Sequence, residues 1–142
     1  MDLTELQEMS AKDLKIDDQQ LDIESLKTPE LYGKYLKIFT RWNLLLKQVE
    51  SKHRILYRQK WEYYGGKADA KIYVTKPFDL KVLKTDLNIY IESDEEIIKL
   101  EHKIAYLETT IKYIDGVLRS IQSRGWDIKN AISWKQFEAG MI

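Results

Sequence analysis

The sequence predicts a predominantly α-helical protein, with two long amphipathic helices, short N- and C-terminal helices and a small β element around residues 71–91. Two observations carry this prediction. Apolar residues recur at alternating spacings of three and four over two long stretches, as on one face of a helix. Each stretch is also bounded by residues that start or stop helices. With 142 residues and 44% hydrophobic side chains, the chain is expected to form a single helical domain over residues 1–142.

Residues 1–28 form an acidic N-terminal segment with one or two short expected helices, around Leu3, Leu6, Leu21 and Leu26. The first long helix is predicted over residues 29–64. Thr28-Pro29-Glu30 supplies a capping hydroxyl, a residue without an N–H and an acid at its start, and Gly65-Gly66 is expected to end it. Its apolar face comprises Leu31, Tyr35, Ile38, Trp42, Leu45 and Val49.

The second long helix is predicted over residues 93–124. It begins with the capping box Ser93-Asp94-Glu95-Glu96 and ends at Arg124-Gly125, a base in the last turn followed by a glycine cap. Its unbroken aliphatic seam is of the heptad type and should pack against another helix. The seam comprises Ile97, Leu100, Ile104, Leu107, Ile111, Ile114, Leu118 and Ile121.

The remaining segments give weaker patterns. Residues 71–75 are typical of a short strand that Pro77 ends, and residues 87–91 fit either a strand or a helix. Residues 126–142 predict a short apolar helix with a second cap at Ser133. Because the final residues are unusually apolar for a free terminus, they are expected to be covered.

The composition excludes several classes of protein. The absence of cysteine excludes a disulfide scaffold, thiolate zinc sites and cysteine catalysis, and it suits a reducing cytoplasm. No apolar run approaches the roughly 20 residues of a membrane span, and the acidic start is unlike a signal peptide. Zero net charge, from 23 basic and 23 acidic residues, taken alone argues against a nucleic-acid partner.

The charges are nevertheless distributed in blocks. Residues 1–30 hold 9 acids and 3 bases, net −6, and residues 31–84 hold 13 bases and 4 acids, net +9. Residues 85–108 are net −5, with 7 acids and 2 bases, and residues 109–142 are net +2, with 5 bases and 3 acids. Local density sets the potential that a partner meets. The blocks either pair within the fold or between subunits, or the basic block meets an acidic partner, and charge alone leaves both open.

The end of the first long helix and the loop after it combine basic and aromatic side chains. Those on the helix lie mostly within an arc of about 120°, away from its aliphatic face. Basic groups pair with phosphates and aromatic rings stack on unpaired bases, so the combination points to single-stranded nucleic acid. The alternative is that the rings pack in a subunit interface beneath the arginine stems. We term these residues the basic-aromatic face: Arg54, Tyr57, Arg58, Lys60, Trp61, Tyr64, Lys67 and Lys71.

Catalytic patterns are absent from the sequence. His53 and His102 are isolated from other metal ligands, and Asp17-Asp18 and the acids at 94–96 are typical of helix starts. Neither glycine-rich nucleotide-binding loop is present. For a hydrolase or transferase, no nucleophile or acid–base pair can be named in this sequence. We therefore expect a protein that is not an enzyme and that uses no cofactor and no metal.

Several segments, in order along nearly the whole chain, resemble a known family. They are Leu6-Gln7-Glu8, Leu31-Tyr32-Gly33-Lys34-Tyr35-Leu36, Tyr63-Tyr64-Gly65-Gly66-Lys67-Ala68-Asp69, Ile121-Gln122-Ser123-Arg124-Gly125-Trp126-Asp127-Ile128-Lys129 and Phe137-Glu138-Ala139-Gly140. The ordered set is similar to the UvsY recombination mediator family of T4-like bacteriophages. The resemblance implies a non-enzymatic protein of the infected host's cytoplasm that binds single-stranded DNA. It also implies a homo-oligomeric ring of six or seven subunits.

The same resemblance implies partners and residue roles. Such mediators help the phage recombinase, UvsX, to displace the phage single-strand-binding protein from DNA. Two basic residues of the family's DNA contact map onto Arg58 and Lys60, although the family has the lysine first, and Ala68 and Ala70 replace family glycines. The family's C-terminal segment drives oligomerisation, which assigns that role to residues 126–142 and above all to Trp134, Phe137, Met141 and Ile142. The competing interpretation is a coiled-coil adaptor or phage assembly protein, which the two long helices fit equally well.

Overall fold

The computed structural model describes residues 1–141, and its regular structure is entirely helical. The helices are α1 (Leu3–Asp13), α2 (Leu21–Tyr64), α3 (Ala70–Thr75), α4 (Leu87–Glu92) and α5 (Glu95–Glu138), with one 3-10 turn at Lys84–Asp86. The predicted all-α class with two long helices is confirmed. The prediction of a β element around 71–91 is wrong, because α3, the 3-10 turn and α4 provide the regular structure of that region.

The chain forms two compact units, and α2 and α5 contribute to both of them. The first unit contains residues 1–43 and 109–142. Its core is formed by Tyr35, Val117, Leu118 and Ile121, against which α1 packs through Met9. The Tyr35 hydroxyl donates a hydrogen bond of 2.8 Å to Asp13. These contacts bury much of the apolar faces of α2 and α5 that the periodicity predicts, although Leu45 of the α2 face is exposed.

The second unit contains residues 44–108. Leu87 and Ile91 of α4 and Ile97 of α5 form its buried cluster, and Leu56 and Val82 pack against them. Residues 87–91, which fit either a strand or a helix by pattern, are therefore helical because α4 presents two apolar residues, four apart, to this cluster.

The start of α2 differs from the prediction. The helix begins at Leu21 instead of residue 29, so Pro29 lies inside it. An interior proline removes a helical hydrogen bond and costs about 3 kcal/mol. The Arg124 guanidinium donates hydrogen bonds to the backbone carbonyl of Glu24 and to the Thr28 hydroxyl, in the turn before Pro29. Contacts from α5 thus support α2 where the sequence predicts a helix start.

Both ends of α5 also differ from the prediction. The cap is Asp94, one residue after Ser93: its Oδ1 accepts hydrogen bonds from the backbone N–H groups of Glu96 and Ile97 at 2.9 and 3.3 Å. At the other end, α5 continues through Gly125, and the predicted separate C-terminal helix is part of it. Arg124 and Ile128 are buried on one face of α5, and this burial offsets the cost of about 1 kcal/mol of an interior glycine.

Candidate nucleic-acid interface

A tight turn after α2 positions the last members of the basic-aromatic face. Gly66 has a φ of +74°, and a Cβ at Gly65 would lie 2.9 Å from the carbonyl oxygen of Trp61. Both glycines are therefore needed for the turn. The predicted end of the helix at Tyr64 is confirmed. The turn reverses the chain so that Lys67 returns to the side of Trp61.

The residues expected to form a strand at 71–75 instead form α3. Asp69 caps it by accepting a hydrogen bond of 3.0 Å from the Lys71 N–H. The Tyr73 hydroxyl donates to the backbone carbonyl of Tyr63 at 2.7 Å, which satisfies a carbonyl in the last turn of α2. The β-propensity of this segment is thus overridden by the contacts that α3 makes with the end of α2.

Part of the basic-aromatic face is open to solvent. The Lys67 ammonium lies 4.7 Å from the centre of the Trp61 ring, a cation–π contact. The Arg58 guanidinium approaches Glu62 at 3.8 Å, and the arginine side chain remains largely exposed while the glutamate is partly exposed. The structure therefore presents exposed cations on the same part of the surface as a partly exposed indole, with one of them against the ring. The exposed members are Arg54, Arg58, Trp61, Lys67 and Lys71.

The other three members of the face are packed within the second unit. The Tyr57 hydroxyl donates to Asn88 at 2.9 Å, and the Tyr64 hydroxyl donates to Asp94 at 2.6 Å. Both rings pack against the cluster formed by α4 and the start of α5. The helical wheel places these tyrosines on the same arc of α2 as the exposed cations. A wheel does not show which neighbouring segments pack against that arc, and α4 and the start of α5 cover the tyrosine side.

Lys60 is the third packed member. Its ammonium lies 3.3 Å from Asp94 and 3.4 Å from Glu96, and 5.9 Å from the centre of the Tyr63 ring. Only 15% of the lysine side chain is exposed. Lys76 approaches Glu96 from another side at 3.4 Å. Lys60, one of the two basic residues that the family resemblance assigns to DNA, is thus held by carboxylates.

The charge states around Lys60 are reinforced by their neighbours. Burial raises the pKa of the Tyr64 hydroxyl, and the hydrogen bond to Asp94 raises it further, so the hydroxyl remains a donor. Burial alone would raise the pKa of Asp94. The Tyr64 hydroxyl and the Lys60 charge outweigh that effect and hold the pKa of Asp94 below its usual range. At neutral pH the site is therefore an ionised carboxylate beside an ammonium.

These residues line an open groove of about 800 Å³ between the end of α2, α3 and the start of α5. Tyr63 and Tyr64 line it and belong to an aromatic cluster. In that cluster the Tyr63 and Tyr73 rings stack at 5.5 Å, and the Tyr64 and Phe78 rings meet edge to face at 5.0 Å. The sequence prediction missed Tyr63, Tyr73 and Phe78. The signal that could have indicated Tyr63 is its place beside Tyr64 in the family-like segment. The groove also includes Arg58, Lys60, Glu62, Asp69, Lys76, Asp94, Glu95 and Glu96.

The residues predicted for oligomerisation lie at the end of α5 and just after it. Trp134 and Phe137 are each 62% exposed, and their rings stack at 5.5 Å. Met141 is also exposed, and Ile142 lies outside the described residues. The helix ends at Glu138, and Gly140, with a φ of +72°, caps it instead of Gly125. The described part of this segment is therefore an uncovered apolar surface.

Two further properties bear on function. Within residues 1–141, no group of three or more histidine, aspartate or glutamate side chains is arranged to hold a metal ion. None of the helices in the same range combines the length and apolar character needed to cross a membrane.

The fold and the basic-aromatic face define an all-α protein that presents exposed cations and a partly exposed aromatic ring near a groove of mixed charge. The family model for "Recombination, repair and ssDNA binding protein UvsY" matches residues 9–141. The chain therefore belongs to the UvsY family, as the ordered segments of the sequence indicate.

Individual relatives agree with this assignment. The recombination protein uvsY of Enterobacteria phage T4 is 27% identical over 140 residues, which cover 99% of each chain. A crystal structure of the bacteriophage T4 recombination mediator protein UvsY in lattice type II superposes with a TM-score of 0.86, at 26% identity and 98% coverage of each chain. Lattice type IV gives a TM-score of 0.81 at 24% identity, covering 97% of this chain and 99% of that one.

Proposed function

We propose that the chain is a non-enzymatic recombination mediator that binds single-stranded DNA and helps a phage recombinase to load onto strands coated by single-strand-binding protein. The observation that carries the proposal is the UvsY family match over residues 9–141. The exposed members of the basic-aromatic face supply the matching chemistry, because they combine exposed cations with the partly exposed Trp61 ring, which Lys67 contacts.

The contact is independent of base sequence. Arg58, Lys67 and Lys71 hold backbone phosphates, and Trp61 stacks on a base, since every base offers a π face. If the protein assembles as a ring of six or seven subunits, weak single sites add through effective concentration. A strand held in this way is bent or extended. This weakens the hold of the single-strand-binding protein and lets a UvsX-like recombinase begin to load. The proposed location is the cytoplasm of the infected host.

Binding is tested with a labelled oligothymidine and with a duplex competitor, by fluorescence anisotropy at several salt concentrations. The wild type is expected to bind the single strand, with affinity falling steeply as salt rises because counterions are released. Arg58→Ala with Lys67→Ala should weaken binding and flatten the salt slope by about 0.7 per lost phosphate contact. The matched control is Arg119→Ala, which removes an exposed arginine of the first unit.

The adaptor alternative gives the opposite result. The two 44-residue helices suit it, but an adaptor has no need to expose a basic-aromatic face. Wild-type protein that binds no single strand at low salt, with no quenching of tryptophan emission, would remove the mediator proposal. An equal loss of affinity in Arg119→Ala would show that the DNA contact is not specific to the end of α2.

Oligomerisation is proposed to depend on the exposed apolar residues at the end of α5. Replacing Trp134 and Phe137 by serine should give smaller assemblies by light scattering, because about 25 cal/mol per Å² of buried apolar area is lost. Trp126→Ser is the comparison, since Trp126 is also exposed on α5 and begins the predicted segment, but it is not one of the four residues to which the role is chiefly assigned. An unchanged mass for the double variant would take the C-terminal segment out of this role.

A further inference from the structure

The two basic residues that the family resemblance assigns to DNA are in different states. The Arg58 side chain is 69% exposed, and its ion pair with Glu62 is long, at 3.8 Å. The Lys60 ammonium instead contacts the Asp94 and Glu96 carboxylates at 3.3 and 3.4 Å. Before Lys60 can bind a phosphate, at least one of these carboxylates must leave it.

We propose that Glu96 competes with the DNA phosphate for the Lys60 ammonium and so sets the affinity of the protein for single-stranded DNA. The inference rests on the proposed function and adds Lys60 to the cations that hold the strand there. It assigns a role in DNA binding to an acidic residue that does not itself touch the strand.

Asp94 is the fixed member of the carboxylate pair. Its Oδ1 caps α5 through the N–H groups of Glu96 and Ile97, and its Oδ2 accepts the hydrogen bond of the Tyr64 hydroxyl. The Asp94 side chain is only 8% exposed. Displacing it would uncap a helix and leave a buried hydroxyl without its acceptor, so Asp94 stays in place when DNA binds.

Glu96 is the exchangeable member. Its side chain is 53% exposed, and its two described partners are the ammonium groups of Lys60 and Lys76. The Lys60 end of the pair is mostly covered, but the carboxylate end faces solvent, so a phosphate can replace Glu96 at modest cost. The groove beside them is open and has room for a phosphate group. When the phosphate arrives, Glu96 rotates into solvent and Lys60 changes partners.

The exchange has a consequence for the salt dependence of binding. A free lysine that neutralises a phosphate releases the counterion condensed there. A lysine that first gives up Glu96 leaves a bare carboxylate, which recruits a cation from solution. Net ion release is therefore smaller in the wild type than in a variant without the Glu96 charge. The competition makes binding weaker and more readily reversed, which suits a protein that must pass the strand to a recombinase.

The test compares Glu96→Gln with Glu95→Gln by anisotropy on oligothymidine. The two variants change the net charge equally, and Glu95 lines the same groove outside the Lys60 ion pair. Glu96→Gln should bind about 2- to 5-fold more tightly than Glu95→Gln, the range of one exposed ion pair. The slope of log affinity against log salt should steepen by about 0.7 in Glu96→Gln. Circular dichroism checks that each variant is folded.

Lys76 also contacts Glu96, so the gain must be traced to Lys60. In a Lys60→Gln background, the further change Glu96→Gln is expected to have no effect on affinity. A gain that persists there would assign the effect to Lys76 and overturn the inference. Equal affinities for Glu96→Gln and Glu95→Gln would also overturn it while leaving DNA binding intact. Absence of binding by the wild type would instead remove the proposed function itself.

Discussion

The two compact units use ion pairs in contrasting ways. In the first unit, Arg124 is 2% exposed, and its guanidinium contacts the Glu24 carboxylate, the Glu24 carbonyl and the Thr28 hydroxyl. In the second unit, the Lys60 ammonium is shared between Asp94 and the exposed Glu96 beside an open groove. The arginine is enclosed by partners on α2, whereas the lysine has one fixed partner and one that faces solvent.

The contrast shows that the surroundings of an ion pair decide whether it supports the fold or can exchange partners. A planar guanidinium with several fixed acceptors is suited to the interior, where an unpaired charge is costly. An ammonium on a flexible stem at a groove can move to a new anion at little cost. The first unit is therefore expected to lose stability when its pair is broken, and the second to change its binding.

Of the changes that test this contrast, Arg124→Ala is expected to have the largest effect on stability. The change leaves the Glu24 carboxylate buried without its guanidinium and removes the donor that supports α2 before Pro29. We expect the free energy of unfolding in urea to fall by about 3–5 kcal/mol.

Arg119→Ala is the control for that change, because its pair with Asp115 is exposed and joins neighbouring turns of α5. It should cost less than about 1 kcal/mol. Similar losses for the two arginine variants would show that burial does not separate the two kinds of ion pair.

Tyr64→Phe tests the fixed side of the Lys60 site and should have an intermediate effect. It removes the hydroxyl that donates to the Asp94 carboxylate, a bond to a charged group worth about 1.5–3 kcal/mol. Tyr57→Phe is the matched control, since its hydroxyl donates to the neutral Asn88 amide and should cost about 1 kcal/mol. Urea unfolding measures both variants. A smaller loss for Tyr64 than for Tyr57 would contradict the fixed role of Asp94.

The smallest effect on stability is expected from lowering the pH. The Lys27 hydrogen bond lowers the pKa of Glu24, burial opposes this, and Arg124 lowers it further. A carboxyl with a lowered pKa in the folded state stabilises the protein above its unfolded pKa, and the contribution is lost as pH falls through the folded value. Stability should therefore hold from pH 7 to about 5 and decline below about 4.

Glu24→Gln should make that acid decline shallower, because the variant has no carboxyl to protonate at this position. The measurement is urea unfolding at a series of pH values between 7 and 2.5, for the variant and the wild type. Parallel curves would show that the Glu24 pair contributes nothing to the acid response.

Much of the fold follows from local chemistry. The apolar periods predict both long helices, and Gly65-Gly66 predicts the end of α2, because a positive φ and a close backbone approach both require glycine there. The basic and aromatic composition of the candidate site also follows from the sequence, although which of its cations stay solvated does not. The predicted DNA contact at these residues stays a prediction.

Other features depend on contacts between segments distant in sequence. Pro29 lies within a helix because Arg124, on α5, supports the turn before it. α5 passes Gly125 because residues on either side of that glycine are buried. Residues 71–75 are helical because Tyr73 contacts the end of α2. Propensities of about 1 kcal/mol per residue are outweighed by such contacts.

The sequence by itself determined the helical class, the long apolar faces and the block of positive charge, because each depends on residue type and spacing along one segment. The tertiary structure decided which of those charges are free. Arg58 and Lys60 are two residues apart in the sequence, yet only Lys60 meets Asp94 and Glu96, because the start of α5 packs beside one side of α2. A helical period specifies a direction around the axis, and the neighbouring segment that lies there is set by the fold.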